Sequence, residues 1–161
     1  MPFEPGVVRE DSGGYGQTLT ILVVEDDEAV AELVRTLLNR VPGWGATVVH
    51  DAAAASAVFQ HVKVEVLVLD VNLPGLSGLD LLAHLRRDPH WHEPPVILMS
   101  AAPSQAAVQT ALVRGEAVRF LTKPFDVDEL VAAVYQAVEE LQHAAPNPAE
   151  APSRAPRHQG S

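Results

Sequence analysis

The chain has 161 residues, is 47% hydrophobic, and carries a formal net charge of −10 at pH 7 with no cysteine. That length predicts one domain with tails. The acidity argues against a general phosphate-backbone binder, and the missing cysteine excludes disulfides, thiolate zinc sites and cysteine nucleophiles. The opening MPFEPGVVRE lacks a basic n-region and a long apolar stretch, and no apolar run approaches membrane-spanning length. A cytoplasmic protein with no membrane association is expected.

Residues 1–18, broken by Pro and Gly, are expected to form a flexible extension. Residues 143–161, built from Ala, Pro and polar residues, are expected to form a disordered tail. Between them, residues 19–142 alternate apolar runs with helical patterns.

The first predicted strand, TILVV (20–24), runs directly into Glu25, Asp26, Asp27 and Glu28. Val30, Leu33, Val34, Leu37, Leu38 and Val41 then recur at helical spacing and predict the first helix, with all six on its inner stripe. Trp44 is expected in a turn, packing on the core edge. ATVVH (46–50) is the second strand and EVLVLD (65–70) the third, the latter ending in a bare carboxylate, Asp70. Ser77 to Asp80 and Asp126 to Glu129 have the form of capping boxes that open helices. The loop DPHWHEPP (88–95) holds His90, His92 and Glu93 at a spacing that fits no common zinc motif, so it is expected to be solvated. His50, His61 and His84 are scattered, as surface or edge residues are. PVILMS (95–100) is the fourth strand, ending at Ser100 with Ala101 and Ala102 after it. A weaker, alanine-rich helix spans 104–114, and VRFL (118–121) is the fifth strand, leading to Lys123 and Pro124. Val127, Leu130, Val131, Val134, Val138 and Leu141 predict the last helix.

Five β-α units in succession predict an α/β fold. The expected form is a flavodoxin-like, doubly wound parallel sheet of five strands in order 2-1-3-4-5 with five helices. In such a sheet the working residues lie beyond the carboxyl ends of the strands. Glu25 and Asp26, Asp70, Ser100 and Lys123 would then converge on one edge.

One or two of the acids at 25–28 could serve as helix caps, Asp27 foremost. Three or four crowded carboxylates repel one another, and a hard divalent cation, Mg²⁺ or Mn²⁺, relieves that repulsion. Lys123 offers the balancing positive charge. A carboxylate can act as a nucleophile that forms an aspartyl phosphate, with neighbours that stabilise the transferring group by charge. Asp70 is read as that acceptor.

ILVVEDD, VLVLDVNLPGLSGLDLL, PVILMSA and FLTKPF, in this order, resemble the receiver domain of two-component response regulators across roughly residues 19–142. The resemblance implies that Asp70 accepts a phosphoryl group from a histidine of a sensor kinase or a histidine phosphotransfer protein. It also implies a Mg²⁺ site of Glu25, Asp26, Asp70 and the Asn72 backbone carbonyl. Ser100 corresponds to the switch hydroxyl, Phe120 to the switch aromatic, and Lys123 to the family lysine, with a cis peptide before Pro124. Ala101 and Ala102 flank the expected phosphate. The chain departs from the family in one extra residue near 115–118, so a homodimer, though open, cannot be borrowed from family geometry.

Two rivals stand beside this. A phosphohydrolase of the haloacid dehalogenase type also uses a strand-end Asp but wants a second Asp two residues on, where this chain has Asn72. A degenerate receiver would act as a phosphorylation-independent binding module. No DNA-binding motif follows residue 142. The signal is therefore expected to leave through the fourth helix, fifth strand and fifth helix to an unknown target. Both a stand-alone regulator, favoured by the N-terminal Met, and a receiver cut from a larger protein remain open.

Overall fold

The computed structural model describes residues 18–102, 106–115, 117 and 119–144. Ser104 and Gln105 of the predicted fourth helix, Val118, and most of both tails lie outside these residues. So does part of the segment expected to carry an extra residue.

The five strands β1 (Leu19–Val24), β2 (Trp44–Val49), β3 (Val66–Asp70), β4 (Val96–Ser100) and β5 (Arg119–Thr122) form one parallel sheet in the order β2-β1-β3-β4-β5. The helices α1 (Glu28–Asn39), α2 (Ala52–His61), α3 (Gly78–Arg86), α4 (Ala106–Val113) and α5 (Val127–Ala144) alternate with them. This is the flavodoxin-like arrangement expected.

Strand side chains alternate between faces. Ile21, Val23, Val66, Val68, Ile97 and Met99 therefore join one core with Val34 and Leu38 of α1 and Leu130 and Val134 of α5. Leu22, Val24, Leu67, Leu69, Val96 and Leu98 join the opposite core with Phe59 of α2, Leu81 and Leu85 of α3, and Val108 of α4. Coverage on both faces is why β3 and β4 read as unbroken apolar runs and are buried at every residue. The edge strands β2 and β5 are only partly covered.

Several expectations need correction. Trp44 opens β2 rather than sitting in a turn, and its ring packs on Tyr135 of α5 at a centroid distance of 4.8 Å. His50 falls just beyond that strand. Leu33 is 54% exposed, because the buried face of α1 is centred on Ala31, Val34 and Leu38 and Leu33 projects away from it. Val41 lies past the helix end, and Val127, at the start of α5, is exposed.

The caps behave as their chemistry requires. Asp27 accepts from the amides of Ala29 and Val30 and opens α1. Ser77 accepts from the Asp80 amide, and Asp126 and Glu129 each accept from the other's amide.

Candidate functional site

The strand order puts the ends of β1, β3, β4 and β5 side by side. Carrying the alternation one residue past the strand ends decides which side chains meet. Glu25, Asp70 and Lys123 share the parity of Ile21, Val68 and Leu121, whereas Ser100 and Phe120 share that of Leu98. Hydrogen bonds hold the extended ends in register: the Glu25 amide donates to the Val49 carbonyl at 3.1 Å, and the Lys123 amide to the Ser100 carbonyl at 2.8 Å.

The first group forms a charged triad. The Lys123 ammonium Nζ donates to Glu25 Oε2 at 2.6 Å and to Asp70 Oδ2 at 3.0 Å. Glu25 and Asp70 are buried, at 1% and 3% exposure, so each must be paired to be tolerated there. The other Asp70 oxygen, Oδ1, accepts from the Asn72 amide at 2.9 Å. Among the described residues, ligand atoms of Glu25, Asp26 and Asp70 all lie within 4.8 Å of one another. Asp26 is the exposed member, which leaves the group open to solvent on one side. Three hard oxygen donors at that separation fit Mg²⁺, which is held through a few carboxylates and keeps its remaining positions for water or phosphate.

Charge within the triad is unevenly held. Burial pushes the Glu25 carboxyl above its ordinary 4.5; Lys123 works against that rise and Asp70 adds to it. For Lys123, burial opposes the charged form, but the hydrogen bonds to Glu25 and Asp70 outweigh it and hold the ammonium above its ordinary 10.5. The lysine is thus a fixed cation across the neutral range.

The second group sits beside the first. Ser100 is fully buried, and its Oγ accepts from the Ala102 amide at 3.0 Å and from Asn72 Nδ2 at 3.4 Å. Asn72 therefore touches both groups, through its amide to Asp70 and its side chain to Ser100. Phe120 lies opposite Leu98 in the β4–β5 register and packs, half-buried, on the core shared with α4. Ala101 is exposed and Ala102 half-buried. The Lys123–Pro124 peptide is cis.

Two histidines do more than the sequence indicated. His50 is exposed, yet its Nδ1 lies 3.0 Å from the Glu25 carbonyl and so braces the backbone that carries the acidic pair. His92 is likewise exposed, but its Nε2 meets the Val64 carbonyl at 2.7 Å while Trp91 packs on Phe59 at 5.3 Å. The 88–95 loop is thus tied to the α2 side of the core rather than simply solvated. A side chain that reaches a distant backbone carbonyl leaves no periodic trace in a sequence.

Residues 21–135 match the family model described as the response regulator receiver domain. Among curated relatives, the transcriptional regulatory protein TrcR of Mycobacterium tuberculosis is 34% identical over 139 residues, covering 86% of this chain and 51% of the relative. The probable transcriptional regulatory protein TcrX of the same organism is 38% identical, covering 72% and 48%. The chain spans about half the length of these relatives. Among solved structures, the signal receiver domain of an HD domain-containing protein from Pseudomonas fluorescens Pf-5 aligns with a TM-score of 0.70 and 27% identity, over 79% of this chain and 91% of that one. The receiver domain of the Francisella response regulator 1452 gives 0.65 and 29%, over 76% and 98%. Chemotaxis protein CheY4 of Vibrio cholerae, at 20% identity and a TM-score of 0.67 over 74% of this chain and 98% of its own, shares the fold.

Proposed function

The chain belongs to the receiver-domain family of two-component response regulators, and on that premise we propose that it takes a phosphoryl group onto Asp70 from a histidine of a sensor kinase or phosphotransfer protein. One observation carries the reading. A buried carboxylate at the carboxyl end of the third strand is held 3.0 Å from a lysine ammonium and within 4.8 Å of the ligand atoms of Glu25 and Asp26.

In this mechanism an Asp70 oxygen attacks phosphorus as the P–N bond to the donor imidazole breaks, and the imidazole leaves with a proton from solvent. Glu25, Asp26, Asp70 and the Asn72 carbonyl would hold Mg²⁺ or Mn²⁺. When bound, that ion spreads the negative charge of the transferring group and of the attacking carboxylate. Lys123 already contacts the attacking carboxylate and supplies a second, fixed positive charge. The Asn72 amide orients the carboxylate from the other side. Exposed Asp26 marks the solvent face from which a donor approaches.

Ser100 and Phe120 read the result. Phosphate oxygens are strong acceptors, and Ser100 Oγ, now accepting from Asn72 and Ala102, becomes a donor to them. Its movement vacates space beside Phe120 and shifts the balance between two conformers of the α4–β5–α5 face, where the downstream target binds.

Intact-mass spectrometry after incubation with acetyl phosphate tests the first half. The expected result is a single phosphoryl adduct that requires Mg²⁺ and is lost in Asp70→Asn. No adduct on a demonstrably folded chain would overturn the reading in favour of a binding module. For the second half, Phe120→Ala should take the adduct at the native rate. It should also lose the phosphorylation-induced change in hydrogen exchange along β5 and the start of α5. A variant that fails to label would instead put Phe120 in the transfer step.

A further inference from the structure

The capping segment Ser77–Asp80 holds a residue whose effect lies outside the cap. Gly78 is the first residue of α3 and is buried. Its amide donates to the Val71 carbonyl at 2.8 Å, closing the 71–77 loop at its base. A Cβ at this position would stand 2.1 Å from the Asp70 carbonyl oxygen, 2.9 Å from the Asp70 carbonyl carbon and 2.9 Å from the Val71 Cα. All three are backbone atoms, so no side chain can swing aside to make room. The first turn of α3 and the end of β3 are in backbone-to-backbone contact, and only glycine allows it.

We infer that Gly78 is a positioning residue for phosphoryl acceptance: its missing side chain lets α3 seat against Asp70 and fix the loop that aims the Asp70 carboxylate. The inference rests on the receiver reading above. The route is short. Any side chain at 78 must drive the Asp70–Val71 backbone and the α3 start apart by roughly an ångström, since Cβ contacts closer than 3.0 Å do not persist. Asn72, two residues past Asp70, then moves with the loop. Its amide bond to Asp70 Oδ1 and its side-chain contact to Ser100 Oγ both depend on where that loop lies. The Asp70 carboxylate is also held from the opposite side by Lys123. It cannot follow the loop and keep both partners. A misplacement of about 1 Å at reacting atoms can cost up to about 100-fold in rate.

The test compares Gly78→Ala with Gly43→Ala in the full chain. Gly43 has a φ of +81° with open space around it. Alanine there strains the backbone at the opposite end of the sheet and burdens stability alone. Labelling by acetyl phosphate is followed by intact mass with Mg²⁺ varied, and its rate constant is extracted. Lost stability lowers the folded fraction, read separately by circular dichroism, and dividing the rate constant by that fraction removes its effect; misplacement lowers the rate constant that remains. Trimethylamine N-oxide, which favours the folded state by exclusion from the surface, keeps Gly78→Ala measurable if it is recovered largely unfolded. The expected result is a rate constant per folded molecule about 10- to 100-fold lower at saturating Mg²⁺ in Gly78→Ala, with Gly43→Ala native in that quantity. A native rate constant per folded molecule in Gly78→Ala, or an equal fall in both variants, would overturn the inference while leaving the receiver reading intact. Failure of the native chain to label would remove that reading and this inference with it.

Discussion

Lys123→Ala should slow phosphoryl acceptance at Asp70 by about 10²–10³-fold, the scale of losing one preorganised charge-stabilising donor, while binding of Mg²⁺ persists. The two effects separate because Lys123 plays different parts in them. In the proposed transfer, the negative charge of the attacking Asp70 carboxylate is consumed while the equatorial oxygens of the incoming phosphoryl group carry the charge to be stabilised, and Nζ, 3.0 Å from Asp70 Oδ2, stands beside the position that group takes. In metal binding the same ammonium competes, since it holds Glu25 Oε2 at 2.6 Å, an oxygen of the same three-carboxylate cluster. Isothermal titration with Mg²⁺ should therefore give binding no weaker than in the native chain, alongside the slow labelling measured by mass. A variant that loses metal binding and labelling together would mean that Lys123 organises the acids rather than stabilising transfer.

The same substitution has a pH signature in metal-free buffer. The pKa of Lys123 is raised in the folded state. Its contribution to stability is then fully present below the ordinary 10.5 and is lost as pH climbs through the higher folded value. The native chain should lose stability across that alkaline window, and Lys123→Ala should lack this component. Parallel alkaline profiles would show that the lysine's ion pairs contribute nothing to the fold. Added Mg²⁺ should raise the melting temperature of the variant more than that of the native chain, because it restores positive charge between acids left without their partner.

How much of this was legible in the sequence follows from the kind of signal each feature leaves. The central strands could be read because two covered faces demand unbroken apolar runs, so the polar residue that ends each run stands out. Glu25, Asp70 and Ser100 were visible for that reason, and Lys123 because it follows the fifth run after one residue, Thr122. Edge strands carry a weaker signal. β2 is only half covered, and its start at Trp44 reads as a turn because Pro42 and Gly43 precede it. Leu33 misled because an apolar residue at helical spacing need not face inward; the inner face of α1 is set by the narrower group Ala31, Val34 and Leu38. His50 against the Glu25 carbonyl, His92 against that of Val64, and Gly78 against the Asp70 backbone are contacts with main-chain atoms distant along the chain or reached across a loop. No residue pattern encodes them, since a carbonyl is the same at every position.

Leu33 and Leu98 turn that difference into a measurement, since one substitution made at two sites should have opposite outcomes. Leu98→Ala should destabilise the protein by about 2–5 kcal/mol, the usual range for a buried leucine that leaves a cavity. Leu98 is fully buried in the middle of β4, with β3 on one side and β5 on the other. Neither neighbouring strand can move in to refill the space without giving up its ladder. For a domain of this size that is a large share of the roughly 5–15 kcal/mol that separates folded from unfolded chains. Leu33→Ala, at a position 54% exposed on α1, should change stability by no more than about 0.5 kcal/mol, as surface substitutions do. Guanidinium unfolding of both variants decides the matter, provided the denaturant slopes match so that the midpoints report stability alone. Equal losses would mean that Leu33 is covered in solution by something that α1, β2 and the rest of the described fold do not supply. A small loss at Leu98 would mean that the sheet can close over the gap, and that the β4–β5 pairing which holds Ser100 and Phe120 in place is looser than its register implies.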